Sequence, residues 1–136
     1  MPVILEMPYL EVHFLPEQDR IEAFWMEQEA PIDENTFQNH IDRFSQLFEV
    51  YPVPVFLVDN RATSVVMSIQ LQEWHDTQIV PRYIAAGVKK IAFVMTEEFM
   101  TALSVEQTFE EPKAQVLQVG YFREREEARS WLEEVV

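Results

Sequence analysis

The sequence predicts an α/β fold with an α+β lean: a single mixed sheet of about five strands, flanked by helices, in one domain spanning residues 1–136. Three observations predict it. Two successive runs near the N-terminus alternate apolar and polar residues. A long amphipathic stretch with helical spacing follows them. Short apolar runs then alternate with helical patterns to the end of the chain, which indicates β/α units.

The two alternating runs, residues 9–15 and 20–26, predict an antiparallel hairpin. In the first run Leu10, Val12 and Phe14 share one face, while glutamate and histidine side chains lie on the other. Four polar residues opened by Pro16 join the runs, and such a segment favours a turn. The sheet should therefore begin with two antiparallel strands.

The next segment predicts an amphipathic helix. Asp33 or Asn35 can cap its first turn, because their side-chain oxygens accept hydrogen bonds from unpaired helix amides. The helix should end before Pro52, since the residue preceding a proline avoids helical geometry. One apolar stripe, with spacings of 4, 3, 4 and 3, consists of Phe37, Ile41, Phe44, Phe48 and Tyr51.

Two short apolar runs, residues 53–58 and 89–95, predict buried strands on either side of a long helix. Ser68 should cap that helix. Pro81 inside it either kinks the helix or begins a second one. Gly87 fits the left-handed position that follows a helix end.

The last third of the chain predicts two short helices, a strand and a final helix. Thr96 should begin the first short helix, and residues 104–107 resemble a capping box for another. Residues 114–122 should form the last strand and residues 124–135 the last helix. Charged residues at helical spacing around that helix predict a solvated face: Arg123, Arg125 and Arg129 with Glu124, Glu126 and Glu127.

The charge is strongly negative, with 24 acids against 10 bases and a net charge of −14. We therefore expect no nucleic-acid partner, since phosphate recognition needs clustered bases. Residues 1–34 hold nine acids and one base, a net of −8 (1 − 9), whereas residues 61–90 hold four bases and two acids, a net of +2 (4 − 2). No apolar run near the N-terminus exceeds three residues, so we expect neither a signal peptide nor membrane insertion.

The residues that carry chemistry are sparse. Without cysteines the chain has no disulfides or thiol nucleophile, which is compatible with a cytoplasmic location. His13, His40 and His75 fall on different predicted elements and lack metal-ligand spacing. With two glycines in all, neither a nucleophile elbow nor a phosphate-binding loop can form. We therefore predict no catalytic residue, metal or cofactor.

Four blocks of sequence carry a resemblance to a known family: LVDNR, SIQLQEW, VPRYIAAGVKKIAFV and VGYFREREEARSWL. They resemble STAS-like domains related to the SpoIIAA-type anti-sigma-factor antagonists, in particular the small free-standing bacterial proteins of that superfamily. The resemblance implies a small mixed sheet flanked by helices, and a protein–protein role without catalysis. In those antagonists a phosphorylated serine follows a central strand. The matching loop here holds Ser64 and Ser68 as candidates, but Asn60 and Arg61 replace the usual aspartate–serine–serine–glycine run.

The candidate site is therefore the loop that follows residues 53–58. Polar groups at the carboxyl end of a parallel strand either contact a ligand or partner, or satisfy one another. Apolar residues 65–67 either fold back on the core or form an association surface. The candidate partner-binding residues are Asp59, Asn60, Arg61, Ser64, Val66 and Ser68.

Two functional hypotheses follow. The first is a non-enzymatic cytoplasmic interaction or regulatory module that binds a protein partner, or itself as a homodimer, through this loop. The alternative is a carrier or sensor of a small apolar ligand or lipid, because the STAS fold is similar to the lipid-binding SEC14-like fold. Such a protein would need a cavity of a few hundred Å³. Its candidate lining residues are Phe44, Phe48, Trp74, Tyr83, Phe93 and Phe99.

Overall fold

A computed structural model of the chain describes residues 2–27, 30 and 32–134. Within these residues, six strands form one sheet in the order of the sequence. The first three pair antiparallel and the last four run parallel to one another, which confirms the predicted mixed sheet and its N-terminal hairpin. The strands are β1 (Val3–Glu6), β2 (Leu10–Leu15), β3 (Arg20–Trp25), β4 (Val55–Asp59), β5 (Lys90–Val94) and β6 (Gln118–Phe122).

Helices connect the parallel strands and cover both faces of the sheet. They are α1 (Glu34–Gln46), α2 (Ile69–Trp74), α3 (Val80–Ala85), α4 (Phe99–Thr108) and α5 (Arg125–Glu133). A π-helical turn, His75–Ile79, joins α2 to α3, so Pro81 stands in the first turn of a new helical segment. Two 3₁₀ turns, Leu47–Glu49 and Pro112–Val116, follow α1 and α4. No helix in the described ranges is both long enough and apolar enough to cross a membrane.

The sheet separates two apolar cores, because alternate residues of each strand point to opposite faces. On one face Phe56 and Ile91 pack beneath α1, α2, α3 and α4. On the other, Leu57 and Ala92 pack beneath α5 through Ala128. Four aromatic rings pack together in the larger core, with centroids 5.0 to 6.3 Å apart: Phe44, Phe48, Phe56 and Tyr83. This packing explains the regular stripe along α1.

Local signals predicted several helix ends correctly. The Asp33 carboxylate accepts a hydrogen bond from the Thr36 amide at 2.7 Å, and Ser68 caps α2. Gly87 has a φ of 92°, the left-handed geometry expected after a helix. The predicted end of the last helix at position 135 lies outside the described residues, and α5 ends at Glu133.

Several predicted elements differ from the structure, and the first short helix begins at Phe99 instead of Thr96. Strand β1 was not predicted, because a four-residue run with a register shift between Val3 and Leu5 carries little alternation. Ser104 begins no new helix; it lies within α4 and donates to the Thr101 carbonyl oxygen at 2.9 Å. The last strand begins at Gln118 instead of position 114. The buried Asp76 carboxylate accepts hydrogen bonds from the amides of residues 113 and 114, which holds that segment in a 3₁₀ turn.

Candidate functional site

The carboxyl end of β4 carries a closed ionic network centred on Asp59. Its buried carboxylate accepts hydrogen bonds from the Arg61 amide at 3.0 Å, from Arg61 Nη2 at 2.8 Å and from Arg125 Nε at 2.7 Å. Burial raises the pKa of Asp59, but the hydrogen bonds from these arginines outweigh it and lower the pKa below its usual value. Asp59 therefore stabilises the strand end and ties α5 to the sheet. Arg61 is already paired.

A second ionic cluster lies beneath α5, around Glu22 on β3. Its fully buried carboxylate accepts from Arg20 Nε at 2.9 Å and from Arg129 Nη2 at 2.7 Å and Nε at 3.0 Å. The prediction that the arginines around α5 form a solvated face was wrong for Arg125 and Arg129, which reach acids of the sheet. The sequence did hold a signal, since Arg20 and Glu22 share one face of a strand that is otherwise apolar.

Asn60 is buried directly after β4. Its backbone N–H donates to the carbonyl oxygen of Val94 at 2.8 Å, which extends the pairing between β4 and β5 by one residue. The Asn60 side chain lines an internal cavity on the helix-covered face of the sheet. Asn60 is therefore part of the protein interior rather than of the exposed loop surface.

The rest of the loop alternates between inward and outward side chains. Val65 and Met67 fold back into the larger core, whereas Val66 is 46% exposed. The Met67 amide donates to Ser104 Oγ at 3.0 Å, and the Thr108 hydroxyl contacts Met67 Sδ at 3.3 Å. The first alternative, packing on the core, therefore applies to Val65 and Met67 and does not apply to Val66. The loop is anchored against α4 and holds Val66 on its outer surface.

The two candidate serines have different surroundings. Ser68 Oγ accepts a hydrogen bond from the Leu71 amide at 3.1 Å and donates to Glu34 Oε1 at 2.6 Å. A phosphate on Ser68 would stand against the Glu34 carboxylate, so this geometry favours a helix cap. Ser64 is exposed on the outer side of the loop.

Replacing Ser68 with alanine should lower the free energy of unfolding by about 1 kcal/mol, because the substitution removes the cap of α2. Urea denaturation measures the change. Ser64→Ala is the matched control and should change stability by less than about 0.5 kcal/mol, as exposed sites usually do. Equal losses in the two variants would show that the cap contributes nothing.

Other exposed apolar side chains begin the helices that follow β4 and β5. Phe99 and Met100 begin α4, which follows β5, and Ile69 begins α2, which follows β4. We refer to Val66, Ile69, Phe99 and Met100 as the apolar patch. Phe99 is 71% exposed, so the expectation that it lines an internal ligand site is wrong. No sequence pattern marked Ile69 or Met100 as exposed, because the first turn of a helix has no periodicity that distinguishes buried from exposed positions.

The internal cavity has a volume of about 60 Å³, less than the few hundred Å³ expected of a carrier. Of the aromatic residues proposed to line such a site, Phe44, Tyr83 and Phe93 do so. Phe48 belongs to the larger core, and Trp74 packs against its edge. The space is large enough for a few water molecules but not for a lipid chain.

His75 also lines this cavity, from the π-helical turn. Its ring packs against Phe109 and Tyr83, with centroids 5.2 and 6.0 Å away, and its Nδ1 has no hydrogen-bond partner. Burial lowers the pKa of His75 to about 4. The Asp76 carboxylate instead accepts hydrogen bonds from the amides of the following 3₁₀ turn, so it is engaged away from the His75 ring.

Among the residues that the structure describes, no three histidine or acidic side chains are grouped as a metal site would require. No known protein family, curated protein or solved structure matches this chain. The arrangement thus defines a class by architecture alone: a mixed six-stranded sheet with an N-terminal hairpin and β/α units.

Proposed function

We propose that this protein is a non-enzymatic, cytoplasmic interaction or regulatory module of STAS-like type. It binds a protein partner at the carboxyl end of β4, through the outer side of the loop and the apolar patch. The fold agrees with the resemblance in element order: a hairpin, then parallel strands alternating with helices. The resemblance itself rests on the sequence blocks around Asp59 and at the C-terminus.

The observation that carries the proposal is the exposure of the apolar patch on segments that are packed and hydrogen-bonded to the core. Ile69 and Phe99 are 69% and 71% exposed, although the segments that hold them are tied to the core. The loop before Ile69 is bound to α4 through Met67 and Ser104. Apolar side chains held outward on a fixed surface are typical of protein interaction sites.

The rim of the patch selects the partner by charge. Glu97 and Glu98 precede Phe99, and Glu73 lies on the exposed side of α2. With a net charge of −14, the whole chain attracts basic surfaces over long range at low ionic strength. The expected partner therefore presents apolar side chains surrounded by lysine and arginine. A second copy would bring the same acids together, so a homodimer is the less favoured occupant.

Phe99→Asp should weaken capture of the partner from native lysate by about tenfold or more, since aromatic residues often dominate interface energies. Val50→Asp is the matched control, because Val50 is also 71% exposed but lies near the opposite end of β4. A protein retained by the wild type and by the control, and lost by Phe99→Asp, supports the proposal. Equal capture by all three would contradict it.

Analytical ultracentrifugation of the same three proteins tests whether the apolar patch binds a second copy of the chain. If the wild type is a dimer and Phe99→Asp is a monomer, the partner of the apolar patch is a second copy of the chain instead of another protein. The small-ligand alternative has weaker support, because the cavity of about 60 Å³ is lined by closely packed core residues.

A further inference from the structure

The edge of the sheet at β6 is open. Within the described part of the chain, β6 pairs with β5 and with no other strand. Every residue of β4 and β5 is buried, whereas each residue of β6 is exposed or half-buried. The strand therefore presents one side of its backbone to the surroundings.

The hydrogen bonds to β5 identify which backbone groups are free to pair. Gln118 donates to the Lys89 carbonyl oxygen at 2.9 Å, and the Phe122 carbonyl oxygen accepts from the Met95 amide at 2.8 Å. In a parallel pair, alternate residues point both backbone groups at the same neighbour. Val119 and Tyr121 therefore point their N–H and C=O groups away from β5, and no described residue pairs with them.

Protective features differ between the two edges of the sheet. Proteins commonly block an edge strand with a charge, a proline or a bulge. Strand β1 ends in Glu6 and has a register shift between Val3 and Leu5. Strand β6 reads QVGYF, with no charge, no proline and an unbroken register against β5. Its backbone is thus suited to accept another strand.

A groove beside β6 has an acidic wall. It has a volume of about 270 Å³ and lies between the strand and the end of α4. Tyr121 forms part of its floor and stacks on Phe93, with ring centroids 6.0 Å apart. Glu106 and Glu110 line the same groove as Tyr121. Burial raises the pKa of Tyr121, and the charges of these two glutamates raise it further.

We propose that β6 binds an extended peptide that alternates apolar and basic side chains and adds a seventh strand to the sheet. The Val119 and Tyr121 backbone groups would supply the hydrogen bonds of strand addition. Basic side chains on one face of the peptide would pair with Glu106 and Glu110. A second copy of β6 is disfavoured because it would place like charges together. This surface is separate from the apolar patch.

A labelled short peptide of alternating lysine and valine is the probe, with fluorescence anisotropy as the readout. The control peptide has the same side chains but is N-methylated at alternate amides. It keeps the charge but cannot form the backbone hydrogen bonds with β6. It should bind about tenfold more weakly or worse, because strand addition depends on backbone hydrogen bonds. Equal binding of both peptides, or no binding of the first, would overturn the proposal.

Val119→Pro supplies the matching change in the protein. It removes an N–H that points away from β5 and leaves the β5-facing amides of Gln118 and Gly120 in place. Edge strands tolerate proline at such an outward position. We expect about tenfold weaker peptide binding with cooperative unfolding retained, and a similar loss when Glu106 and Glu110 are both changed to lysine. Phe99→Asp should bind the peptide normally, which separates this result from the proposed function. If the wild type forms a dimer and Val119→Pro is a monomer, the occupant of β6 is a second copy of the chain, and the peptide proposal is wrong.

Discussion

Replacing Glu22 with glutamine should lower the free energy of unfolding by about 3 kcal/mol, a large part of the stability of a small domain. The carboxylate is fully buried and neutralises Arg20, which is itself 4% exposed. It also holds Arg129, and with it α5, against the sheet. Glutamine keeps the volume and removes the charge, so it leaves the buried Arg20 guanidinium and the partly exposed Arg129 guanidinium without their shared carboxylate.

Urea denaturation of the wild type and of Glu22→Gln measures this effect. Glu11→Gln is the control, because Glu11 is partly exposed on the adjacent strand and its contact with His13 is 3.4 Å long. The control should change stability by less than about 1 kcal/mol, as exposed pairs do. Adding Arg129→Met to Glu22→Gln should recover part of the loss. A loss below about 1 kcal/mol for Glu22→Gln would refute the ionic account of how α5 is held.

Acidification should destabilise this protein through His75 before most carboxylates titrate. The unfolded histidine binds a proton near its ordinary pKa of 6.5, while burial lowers the folded pKa to about 4. Between these values the unfolded state binds more protons, so stability falls as the pH falls. The difference corresponds to about 2 kcal/mol lost between pH 7 and pH 5. Below the folded pKa, no further loss comes from this group.

The test compares the wild type with His75→Phe at each pH, so that contributions from the acids cancel. The gap in unfolding free energy between the two proteins should change by about 2 kcal/mol from pH 7 to pH 5. His40 is buried too. Burial lowers its pKa, and the hydrogen bond with the Thr36 carbonyl oxygen partly opposes this effect. Because both proteins contain His40, its contribution cancels in the comparison. Parallel stability curves would contradict the assignment to His75.

The site was predictable in part, and the reason differs from residue to residue. Asp59 follows an apolar run, so its place at a strand end could be read locally, whereas its partner Arg125 lies 66 residues away. Val65 and Met67 could not be separated from Val66, because a loop has no fixed period. Asn60 was assigned to the loop surface, but one more backbone pair with β5 keeps it inside.

Sequence alone determined the fold class, the order of most elements and several helix caps, since alternation, helical spacing and capping are properties of neighbouring residues. Tertiary structure decided which charges are buried, where β6 begins and which apolar side chains remain outside. The carboxylates of Glu22 and Asp76 find their partners only when distant segments pack together. Such contacts depend on three-dimensional distance, and no local pattern along the chain encodes that distance.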